Sequence, residues 1–167
     1  LELNNGRSPS VGSFRQEIEI REGNLIGFAD AINLRYSHTS GSNTVDFGYR
    51  LPVNARNGTV AFDFSFTDSD VIEEEFEFLD IESGSRYYEL TFRQPIYQTP
   101  TEEFALSLIA SRRESKSEFL EDILGEPIPF PSLGADEDGR TRVSALRFAQ
   151  EWTRQGARQV IAARSQF

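Results

Sequence analysis

Apolar and polar residues alternate strictly along most of this chain, and on most of these stretches the apolar side carries no charge. The clearest is Val60-Ala61-Phe62-Asp63-Phe64-Ser65-Phe66-Thr67. Side chains on a strand point to opposite faces with a period of two, so Val60, Phe62, Phe64 and Phe66 share one face. Ala61, Asp63, Ser65 and Thr67 share the other. A soluble sheet does this a few times. Repeating it in nearly every segment, with aromatics on the greasy side and Arg, Glu and Asp opposite, predicts a membrane β-barrel with a wet lumen.

Composition agrees with strands rather than helices as the spanning elements. Mean hydropathy is −0.46, and no run approaches the roughly 20 apolar residues a helical span needs. Lumen residues dilute the average of a barrel, so a polar mean does not exclude one. Fourteen Phe, five Tyr and one Trp supply interfacial girdles. With no Cys there is neither a disulfide framework nor a thiolate metal site. The 167 residues suit one domain, a partial outer-membrane β-barrel over 1–167. The opening Leu-Glu-Leu, the lack of Met and the missing signal peptide read as an excised piece.

The fold class expected is all-β, an antiparallel up-and-down meander of about eight to nine strands belonging to a larger transmembrane barrel. Strands are expected at 1–5, 11–22, 31–38, 44–52, 59–67, 86–96, 104–113, 140–153 and 159–167. Short turns lie between most of them, including Ser40-Gly41-Ser42-Asn43 and Asn54 to Gly58. Two connections are long: about 18 residues after Thr67 and about 25 after Arg113, the second containing Pro127-Ile128-Pro129-Phe130-Pro131. They are two turns apart, so a meander puts both on one rim, as outer-membrane barrels do with their extracellular loops. The net charge of −10 belongs to these connections: 68–85 and 114–139 hold eight acids each, and bases outnumber acids elsewhere. No basic stripe interleaved with aromatics appears, so nucleic acid is not an expected partner. Trp152 falls near the short-turn rim, where an interfacial aromatic belongs.

The polar face carries the candidate lumen residues: Arg15, Glu17, Arg35, Asp46, Arg50, Asp63, Glu89, Arg93, Arg147 and Glu151. Arg164 extends the series. Such a mixed-sign, hydrated wall holds an extended polypeptide without trapping it, and a passive porin would show the same wall. Other chemistry has plainer explanations. His38, the single histidine, sits at a strand end without ligand partners in sequence. Asp136-Glu137-Asp138-Gly139 hints at a calcium loop, but Arg147 stands at the twelfth position where an acid is needed. Glu73-Glu74-Glu75 reads as exposed loop charge, with weak divalent bridging as the sharper reading. Glu17 and Glu19 could imitate an acid/base pair, yet Arg15 and Arg21 beside them make lumen ion pairs the simpler reading. Asn57-Gly58-Thr59 is a formal glycosylation site that a tight turn explains equally well. No nucleophile elbow or Gly-rich phosphate loop is present, and neither catalysis nor a metal or other cofactor is expected.

Several phrases resemble a known family. Gly23-Asn24-Leu25-Ile26-Gly27-Phe28-Ala29-Asp30 is similar to an Asn-Pro/Leu-Leu-Gly-x-x-Asp turn near the start of its barrel. Leu51-Pro52-Val53-Asn54-Ala55-Arg56-Asn57-Gly58-Thr59, Leu79-Asp80-Ile81-Glu82-Ser83 and Tyr88-Glu89-Leu90-Thr91-Phe92-Arg93-Gln94-Pro95 follow in order. Phe148-Ala149-Gln150-Glu151-Trp152 and Ala162-Ala163-Arg164-Ser165-Gln166-Phe167 close the series. Together they resemble the barrel of the haemolysin secretion/activation proteins, outer-membrane transporters of two-partner secretion. The resemblance covers essentially the whole chain. It implies a sixteen-stranded barrel behind periplasmic domains, and a lumen loop bearing a Val-Arg-Gly-aromatic motif. That motif and those domains are not in this sequence, so what matches is roughly the first half of the barrel and no transport residue carries over.

The expected function is therefore translocation of an unfolded secreted exoprotein through a polar lumen in the bacterial outer membrane, with outer-membrane lipid around it. Two other readings stand beside it. One is a smaller passive channel or adhesion barrel, ending on the terminal Phe167 typical of such proteins. The other is a soluble β-sandwich binding module, which needs a cover for each apolar face.

Overall fold

A computed structural model describes residues 1–73, 81–119, 128–129 and 134–167, without the side chains of Phe119 and Pro129. The strands are β1 (Glu2–Asn4), β2 (Arg15–Gly23), β3 (Ala31–Thr39), β4 (Ser42–Pro52), β5 (Thr59–Asp70), β6 (Glu82–Gln98), β7 (Glu102–Phe119), β8 (Ile128–Pro129), β9 (Arg140–Gln155) and β10 (Val160–Gln166). All pairings are antiparallel and follow chain order from β1 to β10, except that β9 pairs with β7 and the short β8 lies off the path. The meander is the one expected, with no α-helix among the described residues. No helix there is long and apolar enough to cross a membrane, which says nothing of strands. The described residues form a single sheet, so the two-layer sandwich reading is not met.

Register turns the alternation of single strands into two continuous faces. Ile20, Leu34, Phe47, Phe64 and Tyr88 stand directly opposite one another across β2 to β6. Phe64 and Tyr88 bring their rings to 5.1 Å, and Phe47 and Phe62 to 6.3 Å. Burial separates the faces in a telling way. Ile20, Leu90 and Leu146 on the apolar face are 57%, 51% and 69% exposed, whereas Glu17, Ser37 and Ala149 on the polar face are 7%, 6% and 0% exposed. Side chains crowd on the concave side of a curved sheet and splay on the convex side. The polar face is thus the concave one, the inverse of a soluble protein's interior.

The apolar band crosses the hydrogen-bonded rows obliquely. The row that begins Ile20–Leu34–Phe47–Phe64–Tyr88 ends in Arg112 and Ser144, while a row lower on the sheet, Leu51–Val60–Phe92–Leu108–Phe148, is apolar throughout. A flat lipid layer would match such a slanting band only on strands tilted against its normal, as barrel strands are.

Strand lengths differ from expectation at one rim. β5 continues through Asp68-Ser69-Asp70, β6 starts at Glu82, and β7 runs on through Glu114 to Phe119. Much of both acidic stretches is therefore sheet rather than connection. There both faces are polar, and the hydropathy rhythm fades while the hydrogen-bonded ladder continues. The 17 residues of β6 reach roughly 55 Å at about 3.3 Å each, far more than the 9–11 residues a tilted strand needs to span. The first segment also differs: Pro9–Val11 is a 3-10 turn and β2 begins only at Arg15.

That 3-10 turn caps the same rim. The Gly41 amide donates to the Val11 carbonyl (3.2 Å), Ile72 to Ser10 (2.9 Å) and Asp70 to Gly41 (2.8 Å). Gly12, at φ +89°, packs so closely that a Cβ there would lie 2.9 Å from the Ser40 amide nitrogen.

Candidate functional site

The concave face is the surface on which chemistry could occur. All ten expected residues lie on it by register. Their ion pairs gather into two clusters with a gap between them. Pairing needs neighbours in register, and strand spacing decides which charges meet.

The first cluster joins β2 and β3. Arg35 reaches Glu17 at 3.2 Å and Glu19 at 3.0 Å; Arg21 holds Glu19 at 2.7 Å, and Arg15 pairs with Glu17. The second lies near the short-turn rim of β6, β7, β9 and β10. Arg93 holds Glu151 at 3.2 Å and also Glu103, while Arg164 reaches Glu151 at 3.5 Å. Glu103 falls just outside the strand expected at 104–113. Its place in the period-two series with Ala105 and Ser107 is the signal that puts it on this face.

Between the clusters the wall is less neutralised. Asp46 accepts a hydrogen bond from the Ser65 hydroxyl at 2.7 Å, and Glu89 accepts from Tyr87 and, at 3.4 Å, from Thr91. Asp63 stands directly opposite Glu89 and over Gly48, where an added Cβ would lie 3.1 Å from Asp63 Oδ1. Arg147 donates to the Ser111 hydroxyl at 2.7 Å, and the Arg113 guanidinium lies 5.2 Å from the Tyr87 ring centre. Arg50 makes no ion pair among the described residues.

Toward the long-loop rim the concave face of β3 to β9 becomes neutral. Ser37, Thr44, Thr67, Ser85, Ser115 and Thr141 form one row across six strands, and Thr39, Ser42, Ser69, Ser83 and Ser117 form the next. Ser42 and Ser69 bond hydroxyl to hydroxyl at 2.8 Å, and Ser83 and Ser117 at 3.0 Å. Sequence reading missed these rows because hydroxyl residues alternating with polar ones leave no contrast in hydropathy.

The remaining candidates take structural parts. His38 Nδ1 lies 2.8 Å from Asn43 Oδ1, and its ring stacks on Tyr36. Asp136 Oδ1 accepts from the Asp138 and Arg140 amides at 3.2 and 2.8 Å, which closes a turn. Asn57 adopts φ +60° in its turn. Of Glu73-Glu74-Glu75, the last two lie outside the described residues, as do Leu79 and Asp80 of the family phrase. No group of three metal-ligating side chains occurs among the described residues. Trp152 Nε1 donates to Glu102 at 2.7 Å beside the short-turn rim.

The turn from Gly23 to Asp30 is built by its two polar ends. Asn24 and Ala29 adopt φ +67° and +55°, and Gly27 +86°. The Ala29 amide donates to Asn24 Oδ1 at 2.8 Å, and the Ile26 amide to Asp30 Oδ1 at 3.1 Å. Burial acts to raise the Asp30 pKa. Hydrogen bonds from backbone amides and Tyr49 outweigh it and hold the carboxyl below the ordinary aspartate value.

No family model matches the chain, and no curated protein does. Solved structures do. CdiB from Escherichia coli superposes with a TM-score of 0.72 at 14% identity, over 98% of this chain and 29% of that one. CdiB from Acinetobacter baumannii gives 0.67 at 13% identity, over 92% and 28%. BamA from Haemophilus ducreyi, lacking POTRA domains 1-3, gives 0.50 at 13%, over 95% and 32%. The chain thus spans less than a third of the two CdiB structures. In fold it is similar along nearly its whole length to one segment of these transporter β-barrels, the architecture that its resemblance to the haemolysin secretion/activation proteins implies.

Proposed function

We propose that this chain forms part of the wall of an outer-membrane β-barrel through which an unfolded partner protein is secreted. One observation carries the reading: a concave face of ion pairs and hydroxyls stands back to back with an apolar convex face over at least six strands. Lipid covers the convex face and water fills the concave one. An extended polypeptide passing along the wall meets hydrogen-bonding groups but no large apolar surface, so it slides without being held. The barrels it matches in fold support a transport role of this kind, and the two-partner reading rests on the family resemblance. On this reading the chain is not an enzyme, and passage needs no cofactor and no nucleic acid.

This chain holds no cysteine, so a single one placed in it reports its own position once any cysteine elsewhere in the protein is replaced. Single cysteines placed at Thr67 or Ser85 on the concave face and at Leu90 on the convex face are introduced into the intact natural protein. Crosslinking follows during secretion of the partner. Adducts with the partner from Thr67→Cys and Ser85→Cys, and none from Leu90→Cys, are expected. Undiminished secretion without any adduct from the concave positions overturns passage along this wall, and secretion that persists when the protein is deleted overturns the export reading and leaves a passive pore.

A further inference from the structure

Just above the apolar band, the convex face of β5 to β9 turns basic. Arg112 comes first, level with Tyr88. Arg86, Glu114 and Arg142 stand side by side in the next row, and Asp68, Gly84, Lys116 and Arg140 in the row above. These residues line a hollow of about 580 Å³. Gly84 leaves it open: an added Cβ would meet nothing nearer than Asp68 Oδ1 at 3.8 Å. Five bases and two acids surround it.

The partners of these bases leave some of the charge available. Arg112 holds Glu114 at 2.8 Å, Lys116 pairs with Glu118, and Arg142 lies 3.6 Å from Asp136. Arg86 rests over the Phe66 ring, 5.8 Å from its centre, and the Arg140 side chain makes no ion pair among the described residues. An open, net-positive hollow at the upper edge of a lipid-facing surface matches a phosphate group. Guanidinium groups grip phosphate through paired N–H donors while their stems lie on apolar surface. Acyl chains of the same molecule would run down past Phe66, Phe64 and Leu90.

We infer that this hollow binds the phosphorylated headgroup of a lipid in the leaflet on the long-loop side. The site rests on the membrane placement above but not on protein export. A free anion would gain nothing from the apolar surface beneath, which is why the lipid is the source assigned.

The intact natural protein in detergent tests it, with lipid retention read by native mass spectrometry. The probes are lipid A bearing two phosphates, its dephosphorylated form and inorganic phosphate. The phosphorylated lipid should be retained at least tenfold better than the dephosphorylated one. The double variant Arg86→Gln/Arg140→Gln should lose at least tenfold. Gly84→Phe, which fills the hollow and keeps every charge, should lose as much with an unchanged unfolding temperature. Equal retention of both lipids, or undiminished binding in Gly84→Phe, overturns the site. Full displacement by inorganic phosphate makes it a free-anion site and overturns the lipid source. Heat-modifiable migration of the wild type separates the two failures: its loss sinks the membrane placement, whereas its presence without lipid preference sinks only the headgroup site.

Discussion

The Tyr49 hydroxyl donates to Asp30 Oδ2 at 3.1 Å, tying the turn between β2 and β3 to the convex face of β4. Asp30 is 1% exposed and its other carboxylate oxygen already accepts from the Ile26 amide. One carboxylate therefore fixes both the turn and its attachment to the next strand. Tyr49→Phe should lower the temperature at which the folded, fast-migrating form is lost in detergent, and Asp30→Ala should lower it further. The pH dependence has a definite sign. The Asp30 carboxyl has a lower pKa folded than its ordinary value of 3.8. Its stabilisation is complete above that value and is lost as pH falls below it. Melting followed from pH 6 down to pH 2 should show a loss at the acid end that Asp30→Asn lacks. A parallel decline in both proteins refutes the assignment.

Phe64 and Asp63 are sequence neighbours on opposite faces, and they should respond oppositely to charge. Phe64 packs against Tyr88 in the apolar band. Phe64→Arg puts a guanidinium against lipid and should cost about 2–4 kcal/mol of folding free energy in vesicles. Asp63→Asn removes a carboxylate that faces Glu89 across the strand pair. Like charges directly opposite repel, so this change should be neutral or slightly stabilising. Equal losses in the two variants would refute the assignment of faces.

Arg35 is the hub of the first cluster, bound to both Glu17 and Glu19. Its removal leaves the nearly buried Glu17 to Arg15 alone. Arg35→Met should destabilise the barrel, and adding Glu17→Gln should restore part of the loss, because an uncompensated carboxylate costs more than a missing pair. Additive losses in that double-mutant cycle would mean the pair is not coupled.

Gly41 carries the rim cap. A Cβ there would stand 2.7 Å from the Asp70 carbonyl oxygen and 2.9 Å from the Ile72 side chain. Backbone cannot yield as a flexible side chain can, so Gly41→Ala should destabilise by about 1–3 kcal/mol, the range for overpacking. The damage should be local. The Ile72 and Asp70 amides should exchange faster with deuterium, while those in the centre of β6 keep their protection. Uniform loss of protection would show that the cap is part of the global fold.

The fold was legible where lipid and water lie on opposite sides of a strand. Phe62 to Phe66 and Tyr88 to Phe92 announce themselves because burial in lipid demands apolar side chains at every second position. Asp68 to Asp70, Glu82 to Ser85 and Glu114 to Phe119 do not, because both faces there are wet and the ladder leaves no trace in hydropathy. The same reason hid the hydroxyl rows. The ten charged residues could be assigned to a face from parity alone. Which of them meet could not, since register between strands distant in sequence decides that Arg93 finds Glu151 and that Arg50 makes no ion pair among the described residues.

The hydroxyl rows yield a prediction about transport rather than stability. Thr67, Ser85 and Ser115 adjoin across β5, β6 and β7 on the concave face, and valine matches threonine closely in shape. Thr67→Val, Ser85→Val and Ser115→Val together replace three wet positions with an apolar strip facing the path of the exported chain. Folding should change little, because valine keeps the branching of Thr67 and brings a strand-favouring branched side chain to the two serine positions. A moving polypeptide, however, now meets surface that rewards contact, at roughly 25 cal/mol for each Å² removed from water. Pulse-chase secretion should show the partner leaving the cell severalfold more slowly, with more of it trapped as a crosslinkable intermediate. The same three valines on the convex face, at Leu90, Leu108 and Phe148, should leave secretion unchanged. Slowing from the convex set, or none from the concave set, would mean that the partner does not travel along this wall.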